Sequence, residues 1–194
     1  MKHIAKIDSI TPKTRRHWRK WLEKNHSKKD SVWLIYHKKN SKTPSMSWSD
    51  AVEEALCFGW IDSKRQAIDE TTFRQFFGKR KPKSLWSGIN KDKVKQLIAD
   101  GLMTKAGLDA IEVAKKNGYW TLLDDVEKRI IPPDLERALR KKAGARKFFD
   151  SLSSSDKRIL LQWVVLAKQE ETRKKRISDI VENASNGVKP KQLG

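Results

Sequence analysis

The sequence predicts an α+β protein, mainly α-helical. A small antiparallel sheet of two or three strands lies in its N-terminal part, followed by a helical C-terminal subdomain. Three observations carry this. Residues 31–38, SVWLIYHK, form an apolar, β-branched and aromatic run of strand length. From Trp60 the pattern turns to alternation, with Trp60, Asp62, Lys64, Gln66 and Ile68 on one side and Ile61, Ser63, Arg65 and Ala67 on the other. After Trp86 the apolar residues recur at helical spacing throughout.

Each element has a local reason. Thr11-Pro12 has the form of an N-cap followed by proline at the first helical position, and Trp18, Trp21 and Leu22 then share one face until Asn25. After the 31–38 strand, Ser47 or Ser49 caps a helix with Val52, Ala55 and Leu56 inside, and Gly59 closes it. The alternating strand from Trp60 meets turn residues DETT and returns as FRQFFGKR, where Gly78 marks a bulge or bend. Ser87 or Asn90 opens a helix with Val94, Leu97 and Ile98 on a face, closed by Gly101. Thr104 opens another with Leu108, Ile111 and Ala114, closed by Gly118. The prolines of IIPPDL interrupt the pattern, which sets domains at 1–128 and 129–194. Four helical faces follow: Leu135/Ala138/Leu139, Phe148/Phe149/Leu152, Ile159/Leu160/Trp163/Val164 and Ile177/Ile180/Val181. VKPKQLG reads as a frayed tail.

Charge sets the class of partner. The formal net charge is +19, with 13 Lys/Arg against 3 Asp/Glu in residues 1–48, balance in 49–127, and 17 against 8 beyond. Within the balanced middle, residues 64–83 hold seven basic and two acidic side chains, an island that attracts phosphates, carboxylates or polyanions. No segment has a signal-peptide or membrane-spanning apolar run, so the expectation is a cytoplasmic protein with no membrane insertion. The lone Cys57 allows no intramolecular disulfide and reads as a small core residue. His3, His17, His26 and His37 lack the paired spacing of a metal site, and no phosphate loop, dinucleotide fingerprint or nucleophile elbow is present. No metal or cofactor is therefore expected.

The chemistry concentrates in GKRKPKSLWSGIN. Arg80 has the fork for a phosphate or carboxylate, Lys81 adds charge, and Trp86 offers a stacking plane. Ser84, Ser87 and Asn90 lead into a helix N-terminus, where backbone N–H groups favour an anion. Trp60, Asp62 and Arg65 precede this loop, and Asp62 is the one candidate general base. Asp62 reads more readily as the salt-bridge partner of Arg65, Arg74 or Arg80, and Trp86 reads equally as a core ring. Basic side chains interleaved with rings also suit single-stranded nucleic acid, although no recognition motif for it is legible.

The segments WLEKNHSKKDSVWLIYHK, SWSDAVEEALCFGWIDSKRQAID and FGKRKPKSLWSGINKDKVKQLIADGLMTKAG resemble the bacteriocin-protection, YdeI/OmpD-associated family. So does the C-terminal piece from IPPDLERALRKKAGARKFF through AKQEETRKKRI to ENASNG. The resemblance spans residues 12–187. Its matching positions are Gly59, Trp60, Asp62, Arg80, Ser84, Trp86, Ser87 and Asn90, with Lys168, Glu171, Thr172, Arg173 and Arg176. It implies a part in tolerance of antimicrobial peptides and an outer-membrane porin partner; it implies no reaction. The second group also reads as a helix junction, with Thr172 capping and Glu171 and Arg173 solvated. The combined expectation is a non-enzymatic stress-tolerance protein that binds an anionic small molecule or protein partner through the basic aromatic loop. An enzyme using Asp62 as base, and a non-sequence-specific nucleic-acid binder, stand as alternatives.

Overall fold

A computed structural model describes residues 7–38, 41, 43 and 45–193; His3 lies outside the described residues. The chain divides into two compact units. The first runs to Ser84 and includes Ile89–Trp120; the second takes Leu85–Gly88 and continues from Thr121.

In the first unit, helix α1 (Arg15–Asn25) is capped by Thr14, whose hydroxyl accepts from the His17 N–H at 3.2 Å. The Thr11-Pro12 pair expected to cap it stands ahead of the helix. Strand β2 (Ser31–His37) is the central run read from the sequence. Ser47 caps α2 (Trp48–Cys57) and donates its hydroxyl to Asp50 at 2.7 Å, while accepting from the Asp50 N–H. This reciprocal pairing satisfies two groups at the helix start. Gly59 follows α2 with φ +71, and a Cβ there would lie 2.8 Å from the Ala106 carbonyl oxygen. That combination requires glycine.

Strands β3 (Trp60–Ala67) and β4 (Thr72–Lys79) form the expected hairpin. Its turn is set by the Asp69 carboxylate, which accepts from the N–H and hydroxyl groups of Thr71 and Thr72. The sheet has four strands in the order β1-β2-β4-β3, where β1 (Ser9–Ile10) pairs parallel to β2. Two residues offer no periodicity to read, so β1 escaped the sequence. Gly78 pairs in register with Ser31 and Ile61 rather than forming a bulge; the irregularity falls between Asp62 and Arg65.

The core of this unit is largely aromatic. Trp18 stacks on Trp21 at 5.2 Å and meets Phe77 edge-on at 5.6 Å, and its indole N–H donates to the Ala51 carbonyl at 3.0 Å. Leu22, Val32, Leu34, Val52 and Leu56 complete it. Burying each such side chain contributes about 1.5–3 kcal/mol. Glu54, 3% exposed, ties α1 to α2 by accepting from Arg15 at 2.5 Å and Arg19 at 2.8 Å. Helices α3 (Gly88–Ala99) and α4 (Lys105–Lys116) follow. The buried face of α4 is Gly107, Ile111 and Ala114; Leu108 and the expected inner Ile98 of α3 are exposed.

The second unit holds α5 (Asp124–Glu127), α6 (Pro133–Lys141), α7 (Ala145–Ser151), α8 (Ser154–Val165) and α9 (Glu170–Ser185). Pro133 opens α6 at a position that needs no N–H donor. Leu135, Leu139, Phe149, Leu160, Leu161, Val164 and Ile180 form the core, with Leu161 rather than Ile159 turned inward. The C-terminal residues form a 3-10 turn at Lys191–Leu193, with Leu193 packed on this core, where a frayed tail was expected. Among the described residues, no helix is long and apolar enough to cross a membrane.

Candidate functional site

The site begins with the irregularity in β3. Asp62 pairs with Phe77 and Arg65 with Gln75, so three steps along β3 face two along β4. One extra residue reverses the alternation. Asp62 and Arg65, placed on opposite faces by simple alternation, therefore share the face of Phe73, Gln75 and Phe77.

On that face, beyond the α1–α2 core, lies a pocket of about 720 Å³. Tyr36, Met46, Trp48, Arg65 and Phe73 line it, with His37, Lys38 and the hydroxyl residues Ser41, Thr43, Ser45 and Ser47 around them. Phe73 stacks on Tyr36 with centroids 5.0 Å apart and planes 7° from parallel, and the Arg65 guanidinium carbon sits 3.9 Å from the Phe73 centroid. Such a cation held on a ring keeps its N–H edge available for a planar acceptor. Among the described residues the Arg65 side chain makes no hydrogen bond or ion pair. Tyr36 is 3% exposed and its hydroxyl has no hydrogen-bond partner. Burial, with the Asp62 charge adding to it, raises its pKa well above the ordinary value and keeps it a neutral donor.

Asp62 acts at one remove. Its Oδ2 accepts from the Trp48 indole at 2.9 Å and from Gln75 Nε2 at 3.0 Å, and Gln75, 4% exposed, also donates to the Ser63 carbonyl at 3.2 Å. It makes no ion pair among the described residues and is not among the side chains lining the pocket. A carboxylate spent on two neighbours orients Trp48; the expected salt bridge to Arg65, Arg74 or Arg80 is replaced by these hydrogen bonds.

The other expected site residues are dispersed. Trp60 is fully buried, edge-on to Trp21 at 5.9 Å, and its indole donates to the His26 carbonyl at 3.3 Å. Arg80 is half-buried beside Gly59, whose carbonyl accepts its N–H at 2.9 Å, and burial, opposed by the Asp62 charge, draws its guanidinium down to about 10. It lines a separate pocket of about 290 Å³ with His26, Phe58 and Lys79. Lys81 is exposed, and its backbone N–H donates to the Ser84 hydroxyl at 2.9 Å. Trp86 is 2% exposed, so it is a core ring with no stacking face to offer. Trp86 and Ser87 belong to the second unit, while Asn90 lies in α3 with the first. Of the expected set, Arg65 alone lines the sheet pocket, and Asp62 reaches it through Trp48.

Tyr36, Trp48, Phe73 and Gln75 were not singled out from sequence. Trp48 held the available signal: a large ring at the first position of a helix, directly after its cap, is 51% exposed. Cys57 is buried as expected, and burial raises its thiol pKa. Among the described residues no cluster of three or more His, Cys, Asp or Glu is placed to hold a metal ion.

In the second unit, Arg173 grips Asp134 with a fork at 2.6 and 2.8 Å and donates to the Val164 carbonyl at 3.2 Å. Arg176 lies over Trp163 and donates to its carbonyl. Lys168 and Glu171 are exposed, and Thr172 lies inside the first turn of α9, whose N-cap is Gln169. Arg173 and Arg176 fasten α9 to α6 and α8, the helix-junction reading, with two corrections: Gln169 rather than Thr172 is the cap, and Arg173 is ion-paired rather than solvated.

Fold and site together define a class: a mainly helical α+β protein whose small sheet carries a ligand-sized pocket of aromatic and basic side chains. The chain belongs to the family described as Domain of unknown function (DUF8412), whose match spans residues 10–110, and its residues 128–187 match the family described as Bacteriocin-protection, YdeI or OmpD-Associated. The second match supports the resemblance read from the sequence and confines it to the C-terminal part; ALCFGWID and KSLWSGIN fall within the first. No curated protein and no solved structure matches the chain.

Proposed function

We propose that this protein, of bacteriocin-protection type, binds a small anion in the sheet pocket of its N-terminal unit and catalyses no reaction there. One observation carries the reading: Arg65, positioned over Phe73 without an ion pair, lines the same pocket as Tyr36, whose buried hydroxyl has no partner. Leaving a buried hydroxyl unpaired costs about 1–3 kcal/mol, which a ligand accepting from it recovers. Among the described residues the pocket lining holds Lys38 and Arg65 but no Asp or Glu, so its field favours an anion. Asp62 is committed to Trp48 and Gln75, which argues against a proton-transfer role. The basic loop contributes charge around the unit.

Diffuse polyanion binding is the competing reading, favoured by the +19 net charge. Isothermal titration of wild type with acetate, phosphate and a short oligothymidylate, at low and high salt, separates the two. The site predicts saturable binding of a small anion, weakened about tenfold or more in Arg65→Ala because a charge-assisted fork is worth about 1.5–3 kcal/mol. Arg74→Ala, which removes a guanidinium stacked on Trp33 instead, leaves it unchanged. Binding of oligothymidylate alone, falling steeply with salt, defeats the small-anion reading.

A further inference from the structure

Resting on that small-anion reading, we infer that the ligand is a planar aromatic carboxylate, its ring laid against Trp48 and its carboxylate taken by Arg65 and Tyr36. The polar requirement comes first. The two groups awaiting partners, the Arg65 fork and the neutral Tyr36 hydroxyl, are both donors. A carboxylate offers only acceptors in a plane, and the guanidinium fork fits it with two parallel hydrogen bonds.

The apolar requirement comes from Trp48. An indole 51% exposed is ordinarily free to turn, yet this one is held by its N–H on Asp62, which Gln75 holds in turn. A rigid exposed ring at the mouth of a pocket floored by Phe73, Tyr36 and the buried Met46 presents a fixed stacking surface. Acetate leaves that surface empty. Charge sets the third requirement: no Asp or Glu is among the described lining residues, Asp62 being held by Trp48 and Gln75, and an ammonium group on the ligand would lie beside the cationic Lys38 and Arg65. The pocket therefore selects an aryl carboxylate over an aromatic α-amino acid of similar size.

Titration calorimetry with benzoate, acetate, phenylalanine and benzylamine tests this on the full chain. Benzoate is expected to bind about three- to tenfold more tightly than acetate, the increment that ring stacking supplies. Phenylalanine binds more weakly than benzoate, and benzylamine does not bind. Trp48→Ala, a surface change, erases the advantage of benzoate while acetate is unaffected. Tyr36→Phe weakens both carboxylates alike. Asp62→Ala lowers the benzoate-to-acetate ratio and Asp62→Asn, which keeps an oxygen acceptor for the indole, restores it; a merely structural Asp62 would shift both ligands together. Equal affinity for acetate and benzoate overturns the aromatic assignment and leaves the small-anion reading standing. Failure of every carboxylate to bind overturns the carboxylate assignment, and failure of phosphate as well overturns the small-anion reading with it.

Discussion

Replacing Gly107 by alanine sets two magnitudes against each other. On helix propensity alone, glycine to alanine inside α4 stabilises by about 1 kcal/mol. The packing reverses the sign. A Cβ on Gly107 would sit 2.4 Å from the Cys57 carbonyl oxygen, 2.8 Å from its carbon and 2.7 Å from Met103 Cε. The methionine tip can swing aside, but the backbone at the end of α2 cannot. Helix α4 must retreat by roughly 1 Å to reach an ordinary contact. That strains the two hydrogen bonds by which Thr104 reaches the same carbonyl, from its N–H at 3.1 Å and its hydroxyl at 2.6 Å. Overpacking of this kind costs about 1–3 kcal/mol and each weakened hydrogen bond about 1 kcal/mol. The net expectation is a loss of about 1–3 kcal/mol after the propensity gain is subtracted.

For a chain of this length that lowers Tm by roughly 3–10 °C. Thermal unfolding followed by tryptophan emission is the assay, since Trp18, Trp21, Trp33, Trp48, Trp60 and Trp120 all lie in the first unit. Gly88→Ala is the matched control. It has ordinary backbone and nothing within 4 Å of its added Cβ, so its Tm is unchanged or slightly raised. Gly107→Ala as stable as wild type would refute the reasoning, for it would mean that α4 is not seated on the Cys57 carbonyl.

Glu54→Gln should destabilise the first unit by about 1–3 kcal/mol, discounted from the cost of breaking a fully buried pair because Arg15 and Arg19 remain partly solvated. Urea unfolding reads this, and an unchanged midpoint would show that the α1–α2 ion network is dispensable. Acid should weaken the second unit. The Arg173 fork holds the Asp134 carboxylate below its ordinary pKa, so its contribution is present above about pH 4 and is lost as pH falls through the lower folded value. Asp134→Asn should therefore flatten the acid limb of stability measured by urea unfolding from neutral pH downward; an unaltered limb would place the acid sensitivity elsewhere.

What the sequence made legible follows from periodicity. The β3–β4 hairpin, the α1 and α2 core faces and the four C-terminal helical faces all repeat over several turns or strand residues, and each exists, with Leu161 replacing Ile159 in the face of α8. Features resting on one or two residues were hidden. Thr11-Pro12 imitates a helix start, and only the backbone shows that Thr14 takes that place. Leu108 reads as the inner residue of α4 because a glycine carries no hydropathy, yet Gly107 occupies the contact. Trp86 read equally as ligand platform or core because a single ring gives no period. Tyr36 and Phe73 are far apart in sequence, and only the β2–β4 register brings them into a stack.

The pocket turns on one inserted residue. Continuing the Asp62–Phe77 register without the bulge would set Ser63 against Phe76, Lys64 against Gln75 and Arg65 against Arg74. Two guanidinium groups directly opposite across strands repel each other, and Lys64 would then face the pocket with a point charge in place of a planar fork. With the bulge, Gln66 comes opposite Arg74 and accepts from its Nε at 2.9 Å, while Arg65 turns onto Phe73. The charge pattern of DSKRQ therefore already disfavours uninterrupted alternation. The repulsion that the bulge relieves on one face of the sheet is what delivers a forked cation to the other, beside Tyr36.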